Sequence, residues 1–191
     1  MLVHAHPDDE SISTGGVMMK AKSHGHRVVN VTATRGEAGE IYNMDEAQSR
    51  PRLGEIRTEE LKAADEVLGV DRQEFLGYRD SGMVDTADNK DPHSFHQAKL
   101  EEAAGKLAVF MREERPDVVV MDQRMPNTTG LEAARRILAE DPNQTVIVLT
   151  AFPDKHVQAA ADRLGVRGWM SKNDMRLLPA LLRTIHRRAD I

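Results

Sequence analysis

Short apolar runs alternate with longer amphipathic stretches along the whole chain. Two runs, DVVVM at 117–121 and TVIVL at 145–149, are apolar after a single polar residue, which is typical of strands buried on both faces of a parallel sheet. The amphipathic stretches carry apolar residues at helical spacing. The pattern predicts strands at 2–5, 27–34, 73–76, 117–121, 145–149 and 168–170, and helices at 12–23, 56–68, 95–112, 131–139, 157–164 and 175–186.

Repeated strand–helix units favour a parallel sheet with helices on both faces. We therefore predict one structural domain over residues 1–191, a three-layer α/β/α, doubly wound fold of the Rossmann-like or flavodoxin-like kind. No repeat or Gly/Ser linker divides the chain. Ligands of such sheets bind beyond the carboxyl ends of the strands, where strand order reverses. Chemistry is therefore expected in the loops that follow these strands.

Composition narrows the functional classes. The net charge is -5, which does not favour a nucleic-acid partner. The chain has no cysteine, so disulfides and thiolate metal sites are excluded. No run approaches the ~18 apolar residues of a membrane helix, and no basic stretch followed by an apolar run marks a signal peptide. We expect a cytoplasmic protein that does not bind a membrane.

The loop after the first strand carries one imidazole and two carboxylates. His6, Asp8 and Asp9 lie within four residues, and Pro7 stiffens their turn. An imidazole and a carboxylate are good Zn²⁺ ligands, and a second carboxylate could act as general base. The plainer alternative is that Asp8 or Asp9 caps the following helix. Both interpretations stay open on the residues alone.

Residues 1–116 resemble the LmbE/PIG-L family of zinc-dependent N-deacetylases, especially the mycothiol-pathway enzymes that act on N-acetylglucosaminyl-inositol. The resemblance rests on AHPDDESISTGG at 5–16, VTATRGEAGE at 31–40, RLGEIRTEEL at 52–61, FLGYRDSGM at 75–83 and SFHQAKL at 94–100. It implies that His6 and Asp9 bind zinc and that Asp8 is the general base. It also implies an amino-sugar substrate, with a pocket that includes Arg35, Glu37, Arg79 and Asp80.

The sequence departs from this family at the third zinc ligand. The family supplies a histidine from an HPDH-type motif after the fourth strand, whereas this chain reads Met121-Asp122-Gln123 there. No histidine follows until His156. Because zinc sites use at least three protein ligands, the resemblance leaves half a zinc site.

Residues 117–191 resemble the C-terminal part of a response-regulator receiver domain. An Asp ends one strand and precedes a Met125-Pro126 step, a Thr ends the next strand, and a Lys ends the last. The resemblance implies that Asp122 is the phosphoacceptor, Thr150 the switch hydroxyl and Lys172 the phosphoryl-binding cation. It also implies Mg²⁺ and a phosphodonor kinase. The acidic pair that a receiver places after its own first strand is missing with that strand.

The two segments predict a chimera joined inside an equivalent strand, with strand order 3-2-1-4-5-6. This order places Asp122 near the loop after the first strand. His6, Asp9 and Asp122 could then form a hybrid metal site. Alternatively, Asp8 and Asp9 could replace the receiver's acidic pair and hold Mg²⁺. We expect an N-deacetylase fragment with little or no native activity; the alternative is a phosphorelay module that uses Asp122.

Overall fold

The computed structural model describes residues 1–125 and 128–189, with no account of the side chains of 124, 125, 128 and 186–189. Its strands are β1 (Leu2–His4), β2 (Val29–Thr34), β3 (Arg72–Tyr78), β4 (Val118–Asp122), β5 (Arg124–Met125), β6 (Thr128–Thr129), β7 (Thr145–Thr150) and β8 (Gly168–Ser171). Its α-helices are α1 (Gly15–Ser23), α2 (Glu46–Ser49), α3 (Leu53–Leu68), α4 (Ala87–Lys90), α5 (Leu100–Glu114), α6 (Gly130–Glu140), α7 (Lys155–Leu164) and α8 (Leu178–Ala189).

Six strands form one parallel sheet in the order β3-β2-β1-β4-β7-β8. The predicted fold and the predicted order of the six main strands are confirmed. The order reverses between β1 and β4, so the crevice beyond their carboxyl ends is the place where this fold binds ligands. The short antiparallel pair β5–β6 follows β4 directly and was not predicted.

Alternating residues of the central strands supply two hydrophobic clusters. Val119, Met121 and Val148 lie in the cluster on one face, whereas Val120 and Leu149 lie in the cluster on the other. All five are at most 5% exposed. The uniformly apolar runs in the sequence therefore reflect burial on both faces of the sheet.

Two predicted helices begin later than the periodicity indicated because a 3-10 segment precedes them. In the predicted helix at 95–112, a 3-10 turn at Phe95–Gln97 is followed by extended backbone at Ala98 and Lys99. Near the C-terminus, a 3-10 segment at Lys172–Leu177 precedes α8. Apolar spacing does not separate such turns from the α-helix that follows them, because both place the same residues against the core.

Within the described residues, no helix is long and apolar enough to cross a bilayer.

A buried acid–amide pair links α3 to β2. Asn30 is fully buried and donates its side-chain amide to Oδ1 of Asp65 at 3.5 Å, and Asp65 is 5% exposed. The other two oxygens of this pair, Oδ1 of Asn30 and Oδ2 of Asp65, have no hydrogen-bond partner. Burial, with the neighbouring charge of Glu10, raises the pKa of Asp65 from 3.8 to about 7. A proton on Oδ2 would let the acid donate to the amide oxygen and satisfy both orphaned atoms.

We predict that Asp65→Asn stabilises the fold at alkaline pH. As pH rises from about 4 to 7, the unfolded chain loses the Asp65 proton while the folded chain keeps it, so the native protein loses stability. An asparagine retains a donor and carries no charge, and should be about 2–4 kcal/mol more stable than the native protein at pH 8.

Urea denaturation at pH 5 and pH 8 measures this difference. The matched control is Asp162→Asn, which changes an exposed carboxyl on α7 and should leave the pH dependence as it is. An Asp65→Asn protein that is less stable than the native chain at pH 8 would show that the buried carboxylate is charged and compensated.

Candidate active site

Arg57 of helix α3 anchors the loop that follows β1. Arg57 donates to the carbonyl oxygen of Pro7 at 2.6 Å and to Oδ2 of Asp8 at 2.8 Å. Asp8 has a φ of 102°, a backbone conformation that L-residues seldom adopt. Partial desolvation, offset by Arg57 and reinforced by Asp9, raises the pKa of Asp8. The carboxylate expected to act as general base is therefore engaged in an ion pair with Arg57.

Neither acidic residue of this loop caps a helix through its side chain. Asp9 makes no side-chain capping bond to the π-helical turn that follows it. Its Oδ2 instead accepts the backbone N–H of His6 at 3.1 Å. Through this bond the Asp9 carboxylate holds the loop in a turn. Its other oxygen, Oδ1, faces Lys172.

His6 lies between two carboxylates. Its Nε2 is 3.4 Å from Oδ1 of Asp80, and its Nδ1 is 3.8 Å from Oδ2 of Asp9. Burial lowers the pKa of His6, but the hydrogen bond and charge of Asp80, with the charges of Asp9 and Asp8, raise it above the ordinary value. Asp80 is buried, yet its hydrogen bonds to His6, Gly82 and Ala38 lower its pKa. This pairing stabilises the protonated form of His6 relative to a free imidazole.

Lys172 connects the two predicted segments at the switch point. Its Nζ is 2.5 Å from Oδ2 of Asp122 and 3.7 Å from Oδ1 of Asp9. Asp122 ends β4 and is 7% exposed. One ammonium group therefore neutralises a carboxylate from each side of the crevice, as the predicted proximity of Asp122 to the loop after β1 requires.

Thr150 ends the strand next to β4. It is 2% exposed, and its hydroxyl donates to the carbonyl oxygen of Phe152 and accepts the N–H of Phe152, both at 3.1 Å. The β4–β7 register pairs Asp122 with Leu149, and the β7–β8 register pairs Thr150 with Ser171, the residue before Lys172. The three receiver-type residues therefore meet at one edge of the sheet, with the Thr150 hydroxyl engaged in a local turn.

The four residues expected in an amino-sugar pocket divide into two pairs. Glu37 accepts the backbone N–H of Asp80 at 3.0 Å, and the Asp80 carboxylate faces His6. Arg79 instead binds Asp88 at 2.5 Å. The guanidinium of Arg35 lies 5.6 Å from the centre of the Phe75 ring.

The sequence analysis missed the role of Arg57 and the requirement for Gly130. Arg57 lies in a quoted motif, but nothing in the sequence connects it to Asp8, 49 positions earlier. At Gly130, a Cβ would lie 2.3 Å from the carbonyl oxygen of Asp122. Pro126 of the Met125-Pro126 step lies outside the described residues.

A cavity of about 730 Å³ opens beside the crevice. His6 and the loop at 81–96 line one wall, and Thr150, Phe152 and Trp169 line the other. Both predicted segments therefore contribute to one concave surface, as in most small-molecule sites.

The donor set does not suit zinc. Across residues 1–125 and 128–189, no three His, Asp or Glu side chains converge to hold a metal ion, whereas zinc uses at least three protein ligands. Magnesium has other requirements, because one or two carboxylates with water and phosphate oxygens suffice. Asp9 and Asp122, which share Lys172, provide two such carboxylates.

Comparison with known proteins assigns both segments. The family model "PIG-L: GlcNAc-PI de-N-acetylase" matches residues 1–130, and the model "Response regulator receiver domain" matches residues 92–183. The two matches overlap over residues 92–130, which include β4 and the predicted join at 116–117 just before it. The prediction that a deacetylase-like segment is combined with a receiver-like segment is confirmed.

The curated relatives are similar in the first segment. The 1D-myo-inositol 2-acetamido-2-deoxy-alpha-D-glucopyranoside deacetylase of Thermomonospora curvata is 48% identical over 128 residues, which cover 63% of this chain and 43% of the relative. The enzyme of the same name from Acidothermus cellulolyticus is also 48% identical over 128 residues, 63% of this chain and 44% of the relative. The chain thus spans less than half the length of these relatives.

A solved structure has a similar fold. The N,N'-diacetylchitobiose deacetylase of Pyrococcus horikoshii superposes with a TM-score of 0.55 and 27% identity, covering 75% of this chain and 51% of that protein. The family model extends over more than half of the residues. The chain belongs to the PIG-L family of GlcNAc-PI de-N-acetylases.

Proposed function

We propose that this chain is a recombined N-deacetylase fragment with half a zinc site and little or no deacetylase activity, whose remaining chemistry is phosphoryl acceptance at Asp122. The observation that carries the proposal is the position of Lys172, between Asp9 of the first segment and Asp122 of the second. The junction at 116–117 and the single domain over 1–191 are part of this proposal.

The missing third ligand argues against zinc-dependent deacetylation of an amino sugar. Among the described residues, no three His, Asp or Glu side chains converge to hold a metal ion, whereas zinc sites use at least three protein ligands. Asp8, the expected general base, is also bound by Arg57.

Asp122 has the chemistry of a phosphoacceptor. A carboxylate oxygen can attack the phosphorus of a small acyl phosphate, forming an O–P bond. The bond between phosphorus and the acyl oxygen breaks, and the acyl group leaves as a carboxylate, so no proton has to move. The ammonium of Lys172 already contacts Asp122 and would offset the negative charge of the transferred group.

Asp9 and Asp122 would hold a magnesium ion, which supplies positive charge near the transferred oxygens. Asp9 therefore takes the place of the receiver's missing acidic pair, whereas Asp8 is engaged with Arg57. Thr150 would have to leave its turn at Phe152 before its hydroxyl could bind a phosphoryl oxygen. Such a site would take phosphate from a small acyl phosphate or from a phosphodonor kinase.

The first test is labelling with acetyl phosphate and Mg²⁺. The native chain should gain the mass of one phosphoryl group in intact-protein mass spectrometry, and Asp122→Asn should gain none because its amide is not a nucleophile. Asp9→Asn should label at least about tenfold more slowly, since it removes one metal-binding carboxylate.

The matched control for labelling is Asp117→Asn, an exposed aspartate one residue before β4. It should label as the native chain does. Labelling that persists in Asp122→Asn, or no labelling of the native chain under conditions that label an intact receiver, would contradict the proposal.

The second test is acetate release from N-acetylglucosaminyl-inositol with added Zn²⁺. We expect no turnover above that of free zinc, and no change in Asp8→Ala, because the third ligand is missing. Zinc-dependent turnover abolished by Asp8→Ala would show that a working deacetylase site has formed.

A further inference from the structure

A second cavity, of about 400 Å³, lies at the opposite edge of the sheet, where β1, β2 and β4 begin. Helix α1 of the deacetylase-like segment and α8 of the receiver-like segment form its sides. Its floor is apolar and consists of Leu2, Val17, Met18, Val118, Val120 and Leu182. The volume falls within the range of about 300–1,000 Å³ found for small-molecule pockets.

The rim of this cavity is cationic. Its basic side chains are Lys20, His24, His26, Arg27, Arg115 and Arg183, against the two acidic residues Glu114 and Asp117. Glu114 already accepts hydrogen bonds from Arg27 and Arg72, which lower its pKa to about 2. In the part of the chain that the structure describes, no ion pair involves Lys20, Arg115 or Arg183. The rim therefore offers positive charge that its own acids do not neutralise.

We propose that this cavity binds a single-chain amphiphile with an anionic head group, such as a medium-chain fatty carboxylate. The apolar floor favours a hydrocarbon body, because burying each CH₂ removes apolar surface from water. The cationic rim favours an anion, and arginine and lysine bind carboxylates through charge-assisted hydrogen bonds. A neutral or cationic amphiphile would bury its hydrocarbon chain in the same way but would not form the charge-assisted hydrogen bonds with the rim.

The cavity lies between helices of the two segments. Helices α1 and α8 fall in regions that match different family models, and both line the cavity. It lies at the amino ends of the strands, whereas Asp122 and Lys172 lie at the carboxyl ends. The proposal is therefore independent of phosphoryl acceptance.

Isothermal titration of the full chain with decanoate, below its micelle concentration, tests the proposal. We expect saturable binding. Ala21→Phe places a larger side chain in the cavity from α1 and should raise the Kd for decanoate at least about tenfold. The double reversal Lys20→Glu/Arg183→Glu should do the same for decanoate and leave the affinity for 1-decanol unchanged.

The matched control is Lys155→Glu, a charge reversal at an exposed site at the start of α7, which should not alter decanoate binding. No saturable heat, or 1-decanol binding as tightly as decanoate to the native chain, would overturn the proposal. If Ala21→Phe does not fold, the exposed rim variants still decide it. Decanoate affinity that survives their reversal would also overturn it.

Discussion

The ion pairs of Lys172 with Asp9 and Asp122 determine how the two carboxylates of the crevice are held together. Asp122 is almost fully buried at the end of β4, and an unpaired carboxylate in that position would be costly. Lys172 supplies the compensating charge and reaches Asp9 as well. The two carboxylates are thereby held as one acidic site, although they come from segments that resemble different families.

This site depends on β4, a strand that lies within the matches of both family models. In the sheet, β4 pairs with β1 on one side and β7 on the other, in parallel and without a bulge. Its side chains alternate between the two clusters of the core. A one-residue slip would turn every one of them to the wrong face, so the register fixes Asp122 at the edge where strand order reverses. One continuous six-stranded sheet therefore positions the site residues of both segments.

The fold could be predicted further than the site. Uniform burial of β4 and β7 is visible in DVVVM and TVIVL, and strand ends in this architecture point to the ligand crevice. The meeting of Asp122 with the loop after β1 follows from that topology. The pairing of His6 with Asp80 and of Asp8 with Arg57 does not, because each joins loops or helices far apart in the chain. The periodicity of apolar residues indicates which face of a helix or strand is buried. It does not indicate which polar side chains of different elements will contact each other.

The central claim is that Asp9 and Asp122 form one site that suits magnesium and does not suit zinc. A calorimetric titration of the metal-stripped chain with each ion, repeated on Asp9→Asn and Asp122→Asn, tests it most directly. The account predicts weak magnesium binding that is lost in both variants, with no tight zinc binding in any of the three proteins. Tight zinc binding by the native chain, lost in both variants, would contradict it and would show that His6 leaves Asp80 to complete a hybrid zinc site.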